Sequence, residues 1–182
     1  MMTCVHPERF MEPTITVATT LLSHEEPQRV VDSIQAIFPD WQADVMPTRE
    51  EFPSDRGTMR LVGEAKSLEL VFKVASKHRI LDTALDAMSL DLDGDSTTFA
   101  LSRQAAFAGK IAFVVDERPI GGVIDVSLIG EDLGLWLEQQ TWHEGRNHVP
   151  RSVGDGYGMA ADGSSTEWFN RHGRPTMNDD QD

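Results

Sequence analysis

At 182 residues, with 40% apolar content, the chain is long enough for one ordinary domain plus a tail and can bury a core without disulfides or metal. Thirty acidic against sixteen basic residues give a formal net charge of −14, which repels phosphate at long range. One cysteine, Cys4, excludes an internal disulfide and a thiolate zinc site, and no apolar run approaches the roughly 18 residues that span a bilayer.

Residues 1–12 read as a flexible extension. MMTCVHPERF has no apolar signal core, and Met11 is an alternative start. Thr14–Leu22, rich in β-branched residues between Pro13 and Ser23, predicts a strand. In HEEPQRVVDSIQAIF, residues Val30, Val31, Ile34, Ile37 and Phe38 fall on one helical face. Pro27 suits the first turn, and Pro39-Asp40 stops the helix. Trp41–Met46 reads as a short second strand. Residues 47–57, with Pro47, Pro53 and several charges, read as an exposed loop. Met59–Ala65 predicts a third strand, with Gly63 as a bulge.

Ser67 is placed to cap a helix whose apolar stripe is Leu68, Val71, Phe72 and Ala75. A break near His78 precedes a second helix, Ile80–Met88, with Leu81, Ala84, Leu85 and Met88 facing inward. The pattern leaves open whether these two form one kinked rod. DLDGDST at 91–97 is a turn. It fails the EF-hand test, because the sixth and twelfth places from Asp91 hold Ser96 and Ser102 rather than glycine and glutamate. Thr97–Leu101 is extended. Ser102 caps a brief helix, RQAAFA, that Gly109 closes in the left-handed region. Lys110–Val115 and Val123–Ile129 read as strands of an antiparallel hairpin. Glu131–Gln139 is a last helix, with Leu133, Trp136 and Leu137 inward. Residues 13–140 thus make one α+β domain. Residues 141–182 hold six of the fourteen glycines without apolar periodicity and read as a disordered, Gly-rich acidic tail. His143, His148 and His172 lack metal-ligand spacing there, and Trp168-Phe169 is a possible linear anchor.

No GxxxxGK[ST], GxGxxG, HExxH or GxSxG motif occurs, and nothing marks a working carboxylate pair. A metal-dependent site at Asp82, Asp91, Asp93 and Asp95 is the weakest of three functional readings. The expectation is no enzyme, no cofactor and no metal. The basic residues concentrate instead: Arg60, Lys66, Lys73, Lys77, Arg79, Arg103 and Lys110 all lie between 60 and 110. If they share a face they make a basic patch on an acidic body, with Arg as a planar fork for phosphate and Lys as a point charge. Gln104 could read a base edge. The competing structural readings are ordinary ones: Phe107 in the core, Arg79 paired with Asp82, and the lysines as a solvated helix face. The acidic, Lys-poor composition also suits a cytoplasm of very high salt, where charge is screened within about 3 Å and net charge says little about a local site.

Three blocks, EEPQRVVDSIQAIFPD at 25–40, HRILDTALD at 78–86 and TTFALSRQAAFAGKIAFV at 97–114, resemble a small archaeal family described as RNA-binding or exosome-subunit-like. The resemblance covers about residues 13–140. It implies a two-layer fold, with helices packed on one face of a mainly antiparallel or mixed sheet, like the ribosomal protein that binds 5S RNA. It implies a non-catalytic, cytoplasmic RNA-binding accessory role in RNA processing or ribosome-related work, with RNA and RNA-processing proteins as partners and no membrane. The matching positions are Arg79, Asp82, Thr83, Arg103, Gln104, Phe107, Gly109 and Lys110, and the candidate contact residues are Lys73, Lys77, Arg79, Arg103, Gln104 and Lys110. The family pattern often carries a basic residue where this chain has Leu85, and Lys where it has Arg103. The first departure thins a phosphate patch; the second keeps its charge. The alternative is a protein-interaction or assembly module without RNA binding.

Overall fold

The computed structural model describes residues 12–47 and 57–154. The expected N-terminal extension up to residue 11, most of the 47–57 loop, and the tail from 155 with Trp168-Phe169 and His172 lie outside the described residues.

The fold is α+β, a five-stranded antiparallel sheet with helices against one face. The strands are β1 (Thr14–Leu21), β2 (Met59–Ala65), β3 (Ser96–Ser102), β4 (Phe113–Val114) and β5 (Val123–Ile129), in the order β2-β1-β5-β3-β4. The helices are α1 (Pro27–Gln35), α2 (Glu69–Lys77), α3 (Leu81–Ser89), α4 (Arg103–Phe107) and α5 (Leu133–Gln140), followed by a 3₁₀ turn at Glu144–Asn147.

Period-2 patterning sorts the strands into two faces. Ile15, Val17, Leu21, Leu61, Phe99, Leu101, Ile124, Val126 and Leu128 are buried beneath the helices. Thr16, Thr20, Thr98 and Ser127 alternate with them on the helix-free face and stay half-buried or exposed. The expected stripes hold: Val30, Val31 and Ile34 of α1, Leu68, Val71, Phe72 and Ala75 at α2, and Leu133, Trp136 and Leu137 of α5 are all buried. Phe72 meets Trp136 edge to face, with ring centroids 5.8 Å apart. Burying side chains of this size contributes about 1.5–3 kcal/mol each.

Four expectations change. The first concerns Trp41–Met46, which is no strand. Its alternation records a segment wrapped around the β2 margin: Trp41 is buried, its indole Nε1 donates to Val17 O at 3.0 Å, and the Asp44 N–H donates to Val62 O at 2.7 Å. The second concerns Gly63, which makes no bulge. The β1–β2 register runs unbroken through Val17↔Gly63. Glycine is needed because a Cβ there would sit 2.0 Å from Gln42 O and 2.8 Å from the Trp41 indole nitrogen. Third, β4 and β5 do not form a hairpin, because β3 lies between them and pairs antiparallel with both. Fourth, residues 141–154, expected to open a disordered tail, are ordered against the domain. Thr141 and Arg146 are buried, and residues 141–154 pack along α3 and α5.

The break near His78 separates two distinct helices. Arg79 takes a left-handed conformation, φ 58°, between them. Ser102 Oγ accepts from Ala105 N as a cap, and Gly109 closes α4 at φ 68°. Ser67 caps only loosely, accepting from Glu69 N at 2.9 Å while Leu68 occupies the N-cap position.

Gly63→Ala should destabilise the fold by about 1–3 kcal/mol, the usual cost of overpacking. Urea unfolding followed by Trp fluorescence would show a lower midpoint with unchanged slope; an unmoved midpoint would mean the Trp41 segment yields freely.

Candidate nucleic-acid interface

The topology gathers one end of the molecule. β1 leaves the sheet there at Leu21, β5 enters at Val123, and β3 gives way to α4 at Ser102. The α2–α3 corner lies on the same side: Ile80, next to Arg79, and Phe113, three residues beyond Lys110, pack on one small cluster of Ala75, Leu81 and Ala84. Of the six candidate contact residues, Lys73, Lys77, Arg79 and Lys110 are exposed, and among the described residues none of them has a carboxylate within ion-pair distance. Lys73 and Lys77 are one turn apart on α2, so they share a face that continues into the exposed His78 and Arg79. The competing reading of Arg79, a pair with Asp82, does not hold, because Asp82 pairs with Arg146 and His143.

Arg103 does not belong to any surface patch. It is 4% exposed. Its Nε donates to Gly121 O at 3.0 Å, its Nη1 to Thr20 O at 2.9 Å, and its Nη2 to the Glu25 carboxylate. Glu25 in turn accepts from Leu22 N at 2.8 Å. The site is shaped around the guanidinium: Gly122, at φ 77°, leaves room where a Cβ would lie 2.3 Å from Nη2. Gln104, beside it, is exposed but packs over Gly121 at the rim of a shallow groove between α1 and α4. Phe107 is no core residue. It is 59% exposed at that rim, because a five-residue helix buries only Arg103 and Ala106. Arg60 is also engaged, at 2.6 Å from Asp125. Leu85, where the family pattern often carries a basic residue, is fully buried.

A second charge cluster lies behind the α2–α3 corner, and sequence reasoning missed it. Asp82 Oδ1 accepts from Arg146 Nε and Oδ2 from His143 Nε2, each at 3.0 Å. Gly145 N donates to His143 Nδ1 at 3.2 Å, so the neutral imidazole carries its proton on Nε2. Arg146 also donates to Glu138 O and Thr141 Oγ1. One turn further along α3, Asp86 accepts from Arg151 at 2.5 Å. Burial alone would raise the Asp82 pKa, but the hydrogen bonds from Arg146 and His143, with their charges, outweigh it and hold the carboxyl below its ordinary value. The only advance signal was spacing: Asp82 and Asp86 are four apart, and the arginines five apart.

Among the described residues no group of three His, Cys, Asp or Glu side chains is arranged to hold a metal ion. Asp82 is committed to Arg146 and His143, which removes it from the aspartates of the 91–95 turn. No described helix is long and apolar enough to cross a membrane.

These features define a small α+β domain with a helix-covered sheet, a buried arginine at its closing end and a short row of exposed cations at the α2–α3 corner. No protein-family model matches the chain. It is 32% identical over 114 residues to a UPF0201 protein of Sulfurisphaera tokodaii, an alignment covering 60% of this chain and 74% of that one. It is 27% identical over 144 residues to a UPF0201 protein of Methanothermobacter thermautotrophicus, covering 78% and 98% respectively. The crystal structure of the UPF0201 protein from Methanococcus jannaschii superposes with a TM-score of 0.59 at 23% identity, over 71% of this chain and 99% of that one, a likeness of fold. The chain belongs to the archaeal UPF0201 family.

Two outcomes follow from this geometry. Arg103→Met removes a buried guanidinium from its contacts with Gly121 O, Thr20 O and the Glu25 carboxylate and should cost about 3–5 kcal/mol in urea unfolding, as breaking a buried ion pair does; a loss below about 1 kcal/mol would reduce the contact to a surface pair. The folded pKa of Asp82 lies below its unfolded one, so its contribution is complete above the unfolded value of about 3.9 and is lost as pH falls through the lower folded value. Wild type should therefore lose stability more steeply than Asp82→Asn on acidification below about pH 4, with a constant gap between them above about pH 5. Parallel curves throughout would show that Asp82 is unperturbed.

Proposed function

We propose that this protein is a non-catalytic RNA-binding accessory protein that contacts RNA through its backbone phosphates. The observation that carries the reading is the row Lys73, Lys77 and Arg79 on α2 and its end, together with the exposed Lys110 after α4. Among the described residues these exposed cations have no carboxylate partner, in a chain of net charge −14. Exposed cations along one ridge can displace the counterions of a polyanion. The ridge is smaller than the sequence suggested, because Arg103 and Arg60 are engaged elsewhere. A role in RNA processing or beside the ribosome, and a likeness to the 5S-RNA-binding ribosomal fold or to exosome subunits, belong to this proposal and rest on the motif resemblance alone.

A second reading, a protein-interaction module, draws on the exposed apolar rim near the α1–α4 groove. Phe107 is 59% exposed and Ile120 is 102% exposed.

Titration of fluorescent structured RNA across a series of salt concentrations decides between them. Three phosphate contacts give log K falling against log salt with a slope of about 2–3, at about 0.7–0.9 per contact. Lys73→Gln, Lys77→Gln and Arg79→Gln combined should weaken binding and lower that slope by about the same amount. RNA binding unchanged in the triple variant, or no binding at any salt, removes the ridge from the function.

A further inference from the structure

A groove of about 360 Å³, within the range of small-molecule sites, lies between the outer face of the sheet and the end of α3, where Ala87 and Leu90 line it. The register explains why it exists. The cross-strand row Val62–Ala18–Asp125–Ala100–Val114 places a carboxylate in mid-sheet between two alanines. Small neighbours leave a trough over the strands that long side chains would fill. Two guanidiniums enter it from opposite sides. Arg60 on β2 reaches across β1, donating to Thr20 Oγ1 at 3.1 Å and lying 2.6 Å from Asp125 Oδ2. Arg118, from the β4–β5 connection, approaches Asp125 Oδ1 at 3.2 Å. The hydroxyls of Thr98 and Ser127 and the carboxylate of Asp91 line the groove on the neighbouring side, with Val114 and Val115 along its wall. Thr98 donates to Asp91 at 3.4 Å; Ser127 has no side-chain partner among the described residues.

Two guanidiniums on one carboxylate concentrate positive charge at the Asp125 end of the groove, while Asp91 supplies the balancing carboxylate at the other. The exposed Arg118, with 67% of its side chain open to solvent, gains little from its long contact with Asp125. Most of its five fork donors are free, and Arg60 keeps donors spare beside them. Asp125 thereby acts as a positioning residue: it holds both forks over the trough instead of letting them extend into water. Asp91 is exposed and tied to Thr98 on the far wall, so it sets the opposite pole of the groove. We propose that this groove is an oxyanion site, in which a phosphoryl group bridges Arg60 and Arg118 with Ser127 as a further donor. The phosphoryl group could belong to a small phosphorylated molecule or to a nucleic-acid backbone, and the site is independent of the Lys73–Lys77–Arg79 ridge.

The test is a titration of the ¹⁵N-labelled full chain with inorganic phosphate at constant ionic strength, with chloride as the control anion, in wild type and Arg118→Gln. Saturable shifts of the Thr98, Ala100, Asp125 and Ser127 amides with phosphate but not chloride, weakened about tenfold in Arg118→Gln, are expected, since a charge-assisted hydrogen bond is lost. The melting temperature of the phosphate-free variant should stay at the wild-type value, which separates lost binding from lost folding. Adding a single-stranded oligouridylate to the phosphate-loaded protein identifies the source: displacement sensitive to Arg118→Gln assigns the groove to nucleic acid, and absence of displacement assigns it to a small phosphorylated molecule. The triple ridge variant should bind phosphate here as wild type does, whatever its effect on RNA. Shifts equal for phosphate and chloride, or phosphate affinity unchanged in Arg118→Gln, overturn the proposal.

Discussion

The buried Arg103 guanidinium is the constraint on which the closing end of the sheet depends. It joins four pieces of chain that are remote in sequence: the end of β1 at Thr20, the approach to α1 at Glu25, its own β3–α4 junction, and the Gly121-Gly122 turn that feeds β5. A buried cation is tolerable only when its donors are satisfied and its charge is matched, and here carbonyls and one carboxylate do both. The planar fork explains why arginine serves here: it offers directed donors to several acceptors at once, where an ammonium offers a single point. Gly122 is the backbone counterpart of that choice, since its missing Cβ is what admits the fork.

Nine cations of the described residues do three kinds of work. Arg103, Arg146 and Arg151 hold chain segments together, each against a carboxylate of α3 or of the α1 approach. Arg60 and Arg118 share Asp125 on the helix-free face. Lys73, Lys77, Arg79 and Lys110 are left to solvent. The arginines take nearly all the directed, multi-donor positions and the lysines none, which follows from the rigidity of one head group and the strong hydration of the other.

Local signals carried most of the fold. β1, β2, α1, α2, α4 and α5 were legible because proline, glycine, a serine cap and apolar periodicity act over a few residues. What was hidden depended on partners far along the chain. Alternation at Trp41–Ala43 looked like a strand because burial alternates there, yet the ladder is absent. β4 and β5 are neighbours in sequence, but pairing neighbours is only a tendency, and β3 takes the intervening place. Residues 141–154 have no periodicity because arginines gripping α3 order them, not an apolar stripe. Arg103 in a basic run reads as surface until Glu25 is seen beside it, and Phe107 reads as core because five residues are too few to reveal which way a helix faces. Of the candidate interface, α2 and its corner were readable; the loss of Arg103 and Arg60 from it was not.

The wrapped segment at Trp41–Asp44 bears on how copies of this protein can meet. An outer strand with bare amides and carbonyls is a template for another chain, and proteins commonly blunt such margins. On the β2 side, Asp44 already bonds to Val62 O and Gln42 crowds Gly63, so that flank is occupied by the chain's own backbone. The opposite flank ends in β4, whose two residues offer too short a ladder to seed much growth. Lateral stacking into ribbons is therefore discouraged at both borders by different means, one flank covered by the chain itself and the other cut short.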